Sequence, residues 1–274
     1  MARIALYQAR TGIDPATNAK ALIVAVDAAA RGGAAMLFTP EMSGLLDANR
    51  KRASEKVVAE EQDLTLAAVR NAAAKHGLWV SLGSLAVQAG NGLFANRGFV
   101  IDPAGETRGR YDKIHLFDVD LPSGERWRES AAYRSGEAVT LVEGTPVGSL
   151  GMTICYDLRF PALFARLAEA GADTIVVPAA FTVPTGKAHW HVLLRARAIE
   201  AGLFVVAAAQ GGHHEDNRNT FGHSLVVDPW GEVLLDMGEG GEPRLAFAEI
   251  DLGLIGEVRS RVPALSHRRP IPAI

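Results

Sequence analysis

Short apolar runs alternate with helical patterns along the whole chain, an arrangement typical of a layered α/β protein. The stretch ALIVAVDAAARGGAAMLFTPE predicts a helix, a Gly-Gly stop and a buried strand that ends at a proline. FARLAEAGADTIVVPAA predicts the same order of helix, glycine, strand and proline. Aligning Gly33 with Gly171 also aligns Pro40 with Pro178 without a gap. The chain therefore contains an internal repeat.

The repeat continues into the next elements. AAVRNAAAKHGLWVSLGS and ARAIEAGLFVVAAAQ each predict a helix, a glycine stop and a strand, and Gly77 aligns with Gly202. Two strand–turn–strand units follow, with Asp102 and Asp228 opening the turns DPAGE and DPWGE. We expect two similar halves packed through their sheets, which makes a four-layer α-β-β-α sandwich. No Pro/Ser-rich linker divides the chain, so we expect one domain over residues 1–274.

Composition narrows the class of protein. The chain of 274 residues is 48% hydrophobic and 22% charged, which suffices for a large core. Lys and Arg number 28 against 31 Asp and Glu, so nucleic acid and anionic membrane surfaces are not expected partners. A single cysteine excludes an internal disulfide and fits a reducing compartment. No signal-peptide core or apolar run of about 20 residues is present, so we expect a soluble, cytoplasmic protein.

The repeat has an informative mismatch after its first parallel strand. The first half continues Pro40-Glu41, whereas the second continues Pro178-Ala179. The architecture therefore does not require a carboxylate after this proline. Glu41 follows the carboxyl end of a strand, where α/β proteins collect functional groups, although a turn or helix cap is an equally simple explanation.

The single cysteine, Cys155, lies where the strand VGSLGMTI meets the predicted helix DLRFPALFARLAEAG. A buried cysteine is often only packing material. At a strand-to-helix junction, however, a helix N-terminus and free backbone N–H groups would favour the thiolate and hold an oxyanion. Lys113, directly after a predicted hairpin strand, could supply positive charge or be a simple surface lysine. Both interpretations of each residue remain open on these patterns alone.

The histidines do not single out a catalytic base or a metal site. His189 and His191 lie two residues apart in a predicted helix and so face different directions. His213 and His214 lie in a Gly-rich loop without the usual zinc-ligand spacing. A metal-dependent hydrolase that uses the loop 213–223 stays an alternative, and we expect no metal.

Three stretches, LFTPE, RYDKIHLFDVDLP and GMTICYDLRFP, together resemble the carbon–nitrogen hydrolases of the nitrilase superfamily. The resemblance covers nearly the whole chain and also implies the four-layer sandwich. It implies that Glu41 is the general base and acid, Lys113 the oxyanion stabiliser and Cys155 the nucleophile. Glu129 in RWRES matches the second glutamate of the amidase branch, which helps to position the other three. Tyr156 would add its backbone N–H to the oxyanion.

The later motifs refine the resemblance. TGKAHWHVLLRARAIEAGLFVVAAAQGG, FGHSLVVDPWGEVL and HRRP are similar to the amidase branch, and VVAAAQ favours the enzymes that act on deaminated glutathione. The resemblance implies hydrolysis of a small carboxylated amide through a cysteine thioester, with release of ammonia. Alternatives are an omega-amidase acting on 2-oxoglutaramate, another amidase or an N-carbamoyl hydrolase. Leu158 and Ala162 depart from residues that are frequent in the branch, which affects the substrate more than the chemistry.

Candidate pocket residues follow from the same motifs. Arg159 either binds a substrate carboxylate or fixes the turn after the nucleophile. Phe181 and Thr182 either line the pocket or pack at a strand end. We expect three large helical side chains to be structural: Trp190, Arg195 and Arg197.

The resemblance also has implications for partners. It implies no non-protein cofactor and a homodimer or larger homo-oligomer that stacks through its helices. A different class of function, an inactive family member that acts as a scaffold, is disfavoured because Glu41, Lys113, Glu129 and Cys155 are all present.

Overall fold

The computed structural model describes residues 1–120, 124 and 126–272. Leu121 and Pro122, the end of the RYDKIHLFDVDLP motif, lie outside the described residues. Six strands form the first sheet: β1 (Ala2–Gln8), β2 (Met36–Phe38), β3 (Trp79–Gln88), β4 (Phe94–Ile101), β5 (Thr107–Asp112) and β16 (Arg244–Ile250). Six strands form the second: β8 (Leu141–Thr145), β9 (Gly148–Met152), β10 (Thr174–Val176), β11 (Phe204–Ala207), β14 (Leu225–Val227) and β15 (Val233–Asp236).

Two short hairpins and the helices complete the described fold. The hairpins pair β6 (Asp118–Asp120) with β7 (Arg126–Arg128), and β12 (Gly211–His213) with β13 (Asn219–Phe221). The helices are α1 (Pro15–Arg31), α2 (Arg50–Ser54), α3 (Leu64–His76), α4 (Pro161–Glu169), α5 (Val183–Ala201) and α6 (Gly253–Arg261). Short 3₁₀ turns span Glu60–Gln62, Glu129–Ala131 and Cys155–Arg159. None of the described helices is long and apolar enough to cross a membrane.

The two sheets share one topology. Their strand orders are β16-β1-β2-β3-β4-β5 and β8-β9-β10-β11-β14-β15. In each order the second, third and fourth strands pair in parallel. The other neighbouring strands pair in antiparallel fashion. The predicted repeat of two similar halves is therefore confirmed.

The sheets pack face to face, with helices outside them. Along β1, Ile4 and Leu6 join the core cluster that also contains the second sheet, whereas Ala5 and Tyr7 pack in a cluster with α1 and α3. Because successive strand residues point to opposite faces, a strand covered on both sides is apolar throughout. Helices α4 and α5 cover the second sheet with side chains of the first cluster. This is the predicted α-β-β-α sandwich.

The two DPxGE turns have the same hydrogen bonds. Asp102 N–H donates to Glu106 O and Gly105 N–H to Asp102 O, each at 2.9 Å. Asp228 N–H donates to Glu232 O at 2.9 Å and Gly231 N–H to Asp228 O at 3.0 Å. The predicted turn chemistry is confirmed in both halves.

The helix expected directly after Cys155 begins later than predicted. Residues Cys155–Arg159 form a 3₁₀ turn, and the α-helix begins at Pro161. Phe160 has φ −112° and ψ 88°, since the residue before a proline is sterically driven out of the helical region. Cys155 therefore opens a separate tight turn rather than the helix itself.

A bulge in β3 forms hydrogen bonds with the loop that carries Glu41. The register between β3 and β4 shifts between Leu82 and Leu85. Gly83 N–H donates to Thr39 Oγ1 at 3.1 Å, and Ser84 Oγ accepts from Met42 N–H at 2.9 Å. An extra residue in one strand re-aims its neighbours and leaves polar groups available for such contacts.

Gly83→Ala is expected to lower the free energy of unfolding by about 2 kcal/mol, because overpacking has this cost. An added Cβ would lie 2.2 Å from Thr39 O, 2.4 Å from Pro40 O and 2.6 Å from Pro178 Cβ. Urea denaturation measures the change. Gly256→Ala is the control, since its Cβ meets nothing within 4 Å on a helix. Equal stability of both variants would contradict the tight contact at Gly83.

Candidate active site

A buried ammonium lies at the centre of the site. Lys113 directly follows β5 and is 2% exposed. Its Nζ lies 2.9 Å from Glu41 Oε1 and 2.9 Å from Glu129 Oε2. Burial alone would lower the pKa of Lys113, but the carboxylates of Glu129 and Glu41 outweigh it and raise the pKa well above its ordinary value. The lysine therefore stays charged, as a buried charge can only when it is paired.

Asn96 is a residue of this site that the sequence analysis missed. Its side chain is fully buried on β4 and donates to Glu41 Oε1 at 3.0 Å and to Glu129 Oε1 at 3.1 Å. Its backbone carbonyl accepts from Lys113 N–H at 2.9 Å. The only signal in the sequence was an asparagine within an apolar strand, where this residue type is depleted.

The second half of the chain holds the other side of Glu41. Ala180 N–H, beyond the end of β10, donates to Glu41 Oε2 at 3.0 Å. The side-chain amide of Gln210 donates to the backbone oxygen of Glu41 at 2.9 Å. The carboxylate is thus bound on both oxygens, one by residues of each half.

Cys155 has a left-handed backbone with φ 49°. Its N–H donates to Pro178 O at 2.9 Å. A residue other than glycine adopts this backbone conformation at a cost in free energy. The conformation persists where surrounding contacts impose it. Such a turn is frequent at functional sites, and here it aims one side chain out of the end of β9.

Asp157 imposes that turn. Its buried carboxylate accepts from Ile154 N–H at 2.9 Å and from Tyr111 Oη at 2.7 Å. It also accepts from His115 N–H at 3.1 Å, and His115 Nδ1 lies 2.7 Å from it. Residues on both sides of Lys113 are therefore tied to the turn that carries Cys155.

The thiol of Cys155 lies beside the charge cluster. Burial raises its pKa well above the ordinary value, and the neighbouring Glu41 carboxylate raises it further, whereas Lys113 acts in the opposite direction. Desolvation and Glu41 therefore oppose the influence of the turn's N–H groups, which favours the thiolate. The raised pKa favours a thiol that keeps its proton until an acceptor takes it.

The remaining predicted site residues lie at different places. The Arg159 guanidinium lies over the rings of Tyr156 and Phe181, at 5.8 and 5.6 Å, and its Nη1 is 3.2 Å from His189 Nδ1. Phe181 is buried next to Ala180, which contacts Glu41. Thr182 opens α5, and its Oγ1 pairs with Thr185 Oγ1 at 2.8 Å. Its side chain is thus used within the first turn of this helix.

Three large side chains of α5 make the structural contacts that were predicted. Trp190 Nε1 donates to His223 O at 2.8 Å. Arg195 Nε donates to Gly231 O at 2.7 Å, and Arg197 Nε donates to Leu158 O at 3.0 Å.

In the described part of the chain, the histidines of the loop 213–223 bond to partners outside the Glu41–Lys113–Glu129 cluster. His214 is buried, with Nδ1 3.0 Å from Thr11 O and Nε2 2.7 Å from Thr220 Oγ1. Among the described residues, His191, His223 and Asp236 have ligand atoms close enough to share a metal ion. Hydrogen bonds account for that group, since both imidazoles lie 2.9 Å from the Asp236 carboxylate.

Asn96→Asp is expected to lower the free energy of unfolding by about 3 kcal/mol at neutral pH, since it breaks a buried charge network. The new carboxyl would lie against Glu41 and Glu129, so its folded pKa would exceed its unfolded value of about 3.9. The loss of unfolding free energy should therefore be small below about pH 3.9, the unfolded pKa, and should grow as the pH rises from there through the folded pKa.

Urea denaturation at several pH values measures this deficit. The control is Asn71→Asp on the exposed face of α3, for which we expect a change within about 0.5 kcal/mol. A pH-independent deficit in Asn96→Asp would contradict the proposed hydrogen bonds to the two glutamates.

Comparisons with known proteins show the family to which this chain belongs. The family model described as carbon–nitrogen hydrolase matches residues 3–260. The nitrilase and fragile histidine triad fusion protein NitFhit of Caenorhabditis elegans is 38% identical over 268 residues, which are 97% of this chain and 60% of that protein. Its crystal structure superposes with a TM-score of 0.88 at 37% identity, covering 98% of this chain and 65% of the other.

Two further proteins extend the comparison. A deaminated glutathione amidase of Yersinia enterocolitica is 40% identical over 248 residues, 88% of this chain and 84% of the relative. A mutant of the amidase from Nesterenkonia sp. AN1, solved with the acetamide moiety of fluoroacetamide on its active-site cysteine, has a TM-score of 0.81 at 27% identity, covering 98% of this chain and 94% of the other. The chain belongs to the carbon–nitrogen hydrolase family of the nitrilase superfamily.

Proposed function

We propose that this protein is an amidase that cleaves the C–N bond of a small amide through a thioester on Cys155. The observation that carries the proposal is one carboxylate, Glu41, placed beside both the Cys155 thiol and the Lys113 ammonium in a buried site. A neutral thiol with an adjacent base is a pair suited to nucleophilic catalysis.

The first step forms the C–S bond. Glu41 accepts the thiol proton as the Cys155 sulfur attacks the amide carbonyl carbon, and the carbonyl π electrons move to oxygen. The Lys113 ammonium and the N–H of Tyr156 then stabilise the oxyanion. Among the described residues, the Tyr156 N–H has no backbone acceptor outside its own 3₁₀ turn.

The later steps return the enzyme to its resting state. Glu41 donates its proton to the departing nitrogen as the C–N bond breaks, which leaves a thioester. Glu41 next accepts a proton from water, whose oxygen attacks the thioester carbonyl. The tetrahedral intermediate then collapses, the C–S bond breaks, the carboxylic acid product leaves and Glu41 returns its proton to the sulfur. One carboxyl thus serves twice as base and twice as acid.

Glu129 supports this cycle without needing to transfer a proton. It binds Lys113 and accepts from Phe117 N–H at 2.7 Å. When Glu41 becomes protonated during attack, Glu129 still pairs with the ammonium. The oxyanion therefore meets a lysine that stays charged throughout.

Deaminated glutathione is the substrate we propose, since that name is borne by the Yersinia relative. Its scissile bond would be a secondary amide, so the group that leaves is an amine, and the release of ammonia expected from the resemblance does not apply to this substrate. Ammonia leaves only from primary amides such as 2-oxoglutaramate, the substrate of the omega-amidase alternative. N-carbamoyl compounds are a third possibility.

We also propose a cytoplasmic homodimer or larger homo-oligomer formed by a single carbon–nitrogen hydrolase domain. The support for association is apolar surface on and beside α5. Val192, Ile199 and Trp230 are exposed by 68%, 52% and 52%, and large apolar side chains in such numbers are typical of interfaces.

Cys155→Ser is expected to reduce amide hydrolysis at least a hundredfold, because a serine hydroxyl beside a carboxylate is a far weaker nucleophile than a thiol. Purified variants are compared by product release under saturating substrate. Residual turnover near the parent value would remove Cys155 as the nucleophile.

Glu41→Gln is expected to slow alkylation of Cys155 by iodoacetamide about tenfold or more at neutral pH. Losing the general base that accepts the thiol proton should outweigh losing a charge that raises the thiol pKa. Mass spectrometry follows the labelled fraction with time. Glu143→Gln, at an exposed position on β8, is the control and should label at the parent rate. Unchanged labelling of Glu41→Gln would contradict its role as the base.

Hydrolysis assays should rank deaminated glutathione first. The panel also contains 2-oxoglutaramate, an N-carbamoyl amino acid and a simple nitrile, with chromatographic detection of each acid product. A higher kcat/KM for 2-oxoglutaramate would replace the proposed substrate with the omega-amidase alternative.

A further inference from the structure

The charge of the catalytic cluster is unfavourable for the substrates proposed above. Two carboxylates, Glu41 and Glu129, surround a single ammonium, and the neighbouring thiol is neutral. The cluster therefore carries one excess negative charge, and a carboxylated amide that approaches it is repelled. Productive binding of such a substrate requires positive charge near the site but outside the cluster.

Two arginines border the site. Arg159 lies on the Cys155 side, over Tyr156 and Phe181. Arg218 lies on the Glu129 side, where its guanidinium carbon is 5.0 Å from the centre of the Trp127 ring. Trp127 belongs to β7, which leads directly into Glu129.

Packed aromatic rings connect Arg218 with the cluster. The Trp127 ring under Arg218 has its centre 6.2 Å from that of Phe117, which lies 5.0 Å from the Tyr156 ring. Phe117 N–H also donates to Glu129 Oε2 at 2.7 Å. A ligand group beside Arg218 would therefore be close to the reacting centre.

The donors at this place are incompletely used. Trp127 Nε1 is buried and has no hydrogen-bond acceptor among the described residues. Arg218 Nε donates to Asp216 Oδ2 at 2.7 Å, but no acceptor for its two Nη groups is found in the described part of the chain. Leaving a buried donor unpaired costs about 1–3 kcal/mol, so a ligand acceptor there would be favoured.

Asp216 holds Arg218 in place. Its carboxylate is 1% exposed and also accepts from Ala48 N–H at 2.8 Å, in the loop that follows Glu41. The guanidinium is therefore anchored through one edge, which leaves its other edge for a planar acceptor.

We propose that Arg218 and the indole N–H of Trp127 bind a carboxylate of the substrate. This inference rests on the proposed amidase function and specifies its substrate class as amides that carry a carboxylate. A carboxylate offers two acceptor oxygens, which match a guanidinium edge and one further N–H. Deaminated glutathione has a carboxylate on each side of its scissile amide, so Arg159 is available for the second one.

A protection assay tests this subsite without requiring turnover. The parent protein is alkylated with iodoacetamide at Cys155 in the presence of increasing 2-oxoglutarate, and the concentration that halves the labelling rate is recorded. Acetamide serves as a neutral competitor. We expect Arg218→Gln to raise the half-protecting concentration of 2-oxoglutarate about tenfold or more, with no change for acetamide.

Two further variants complete the assay. Trp127→Phe keeps the ring under Arg218 and the Arg218–Asp216 pair, so it tests the N–H even if Arg218→Gln fails to fold. It should raise the half-protecting concentration about threefold or more. The control is Arg52→Gln, which removes another arginine that pairs with an aspartate, Asp47. Its half-protecting concentration of 2-oxoglutarate should equal that of the parent.

The outcomes separate this subsite from the amidase proposal. If both Arg218→Gln and Trp127→Phe are protected by 2-oxoglutarate as well as the parent is, the subsite is wrong. If 2-oxoglutarate protects the parent no better than acetamide does, the subsite is also wrong. Lack of amide hydrolysis by a parent that shows the expected protection would contradict the amidase proposal alone.

Discussion

The buried ammonium of Lys113 is the group on which the rest of the site depends. A lysine that is 2% exposed needs opposite charge within hydrogen-bond distance, and Glu41 and Glu129 both supply it. Once these two carboxylates are present, they need donors of their own, which Asn96, Ala180 and Phe117 provide. One buried charge therefore dictates a connected network of polar contacts between otherwise apolar sheets.

That network joins the two halves of the molecule. Glu41 comes from the first sheet, but the backbone of the second sheet binds its carboxylate at Ala180 and holds the Cys155 turn at Pro178. Without the second half Glu41 Oε2 would lose its donor at Ala180, and without the first half Asp157 would lose its donors Tyr111 and His115. The contact of Gly83 with Pro178 shows how closely the halves approach at this point. Some of the contacts that position the site residues are thus also contacts between the two halves.

The mutual electrostatics also explain why a cysteine is suited to this position. Burial and Glu41 raise the pKa of the thiol, so in the mechanism we propose the nucleophile forms only as Glu41 accepts the proton. In the same proposal Glu129 maintains the pairing of Lys113 during that transfer. Two carboxylates surround one ammonium in this cluster, so the subsite we propose for an anionic substrate uses an arginine outside it.

The sequence by itself determined the layered fold, since strand and helix periodicities, glycine stops and the two DPxGE turns are local signals repeated in both halves. It also pointed to Glu41, Lys113, Glu129 and Cys155, through motifs and one mismatch in the repeat. Only the tertiary structure decided that Cys155 begins a 3₁₀ turn, that burial raises the pKa of its thiol and that Asn96 and Arg218 lie near the site. Burial, pairing and pKa arise from groups that are distant along the chain, and no local pattern records which of them meet.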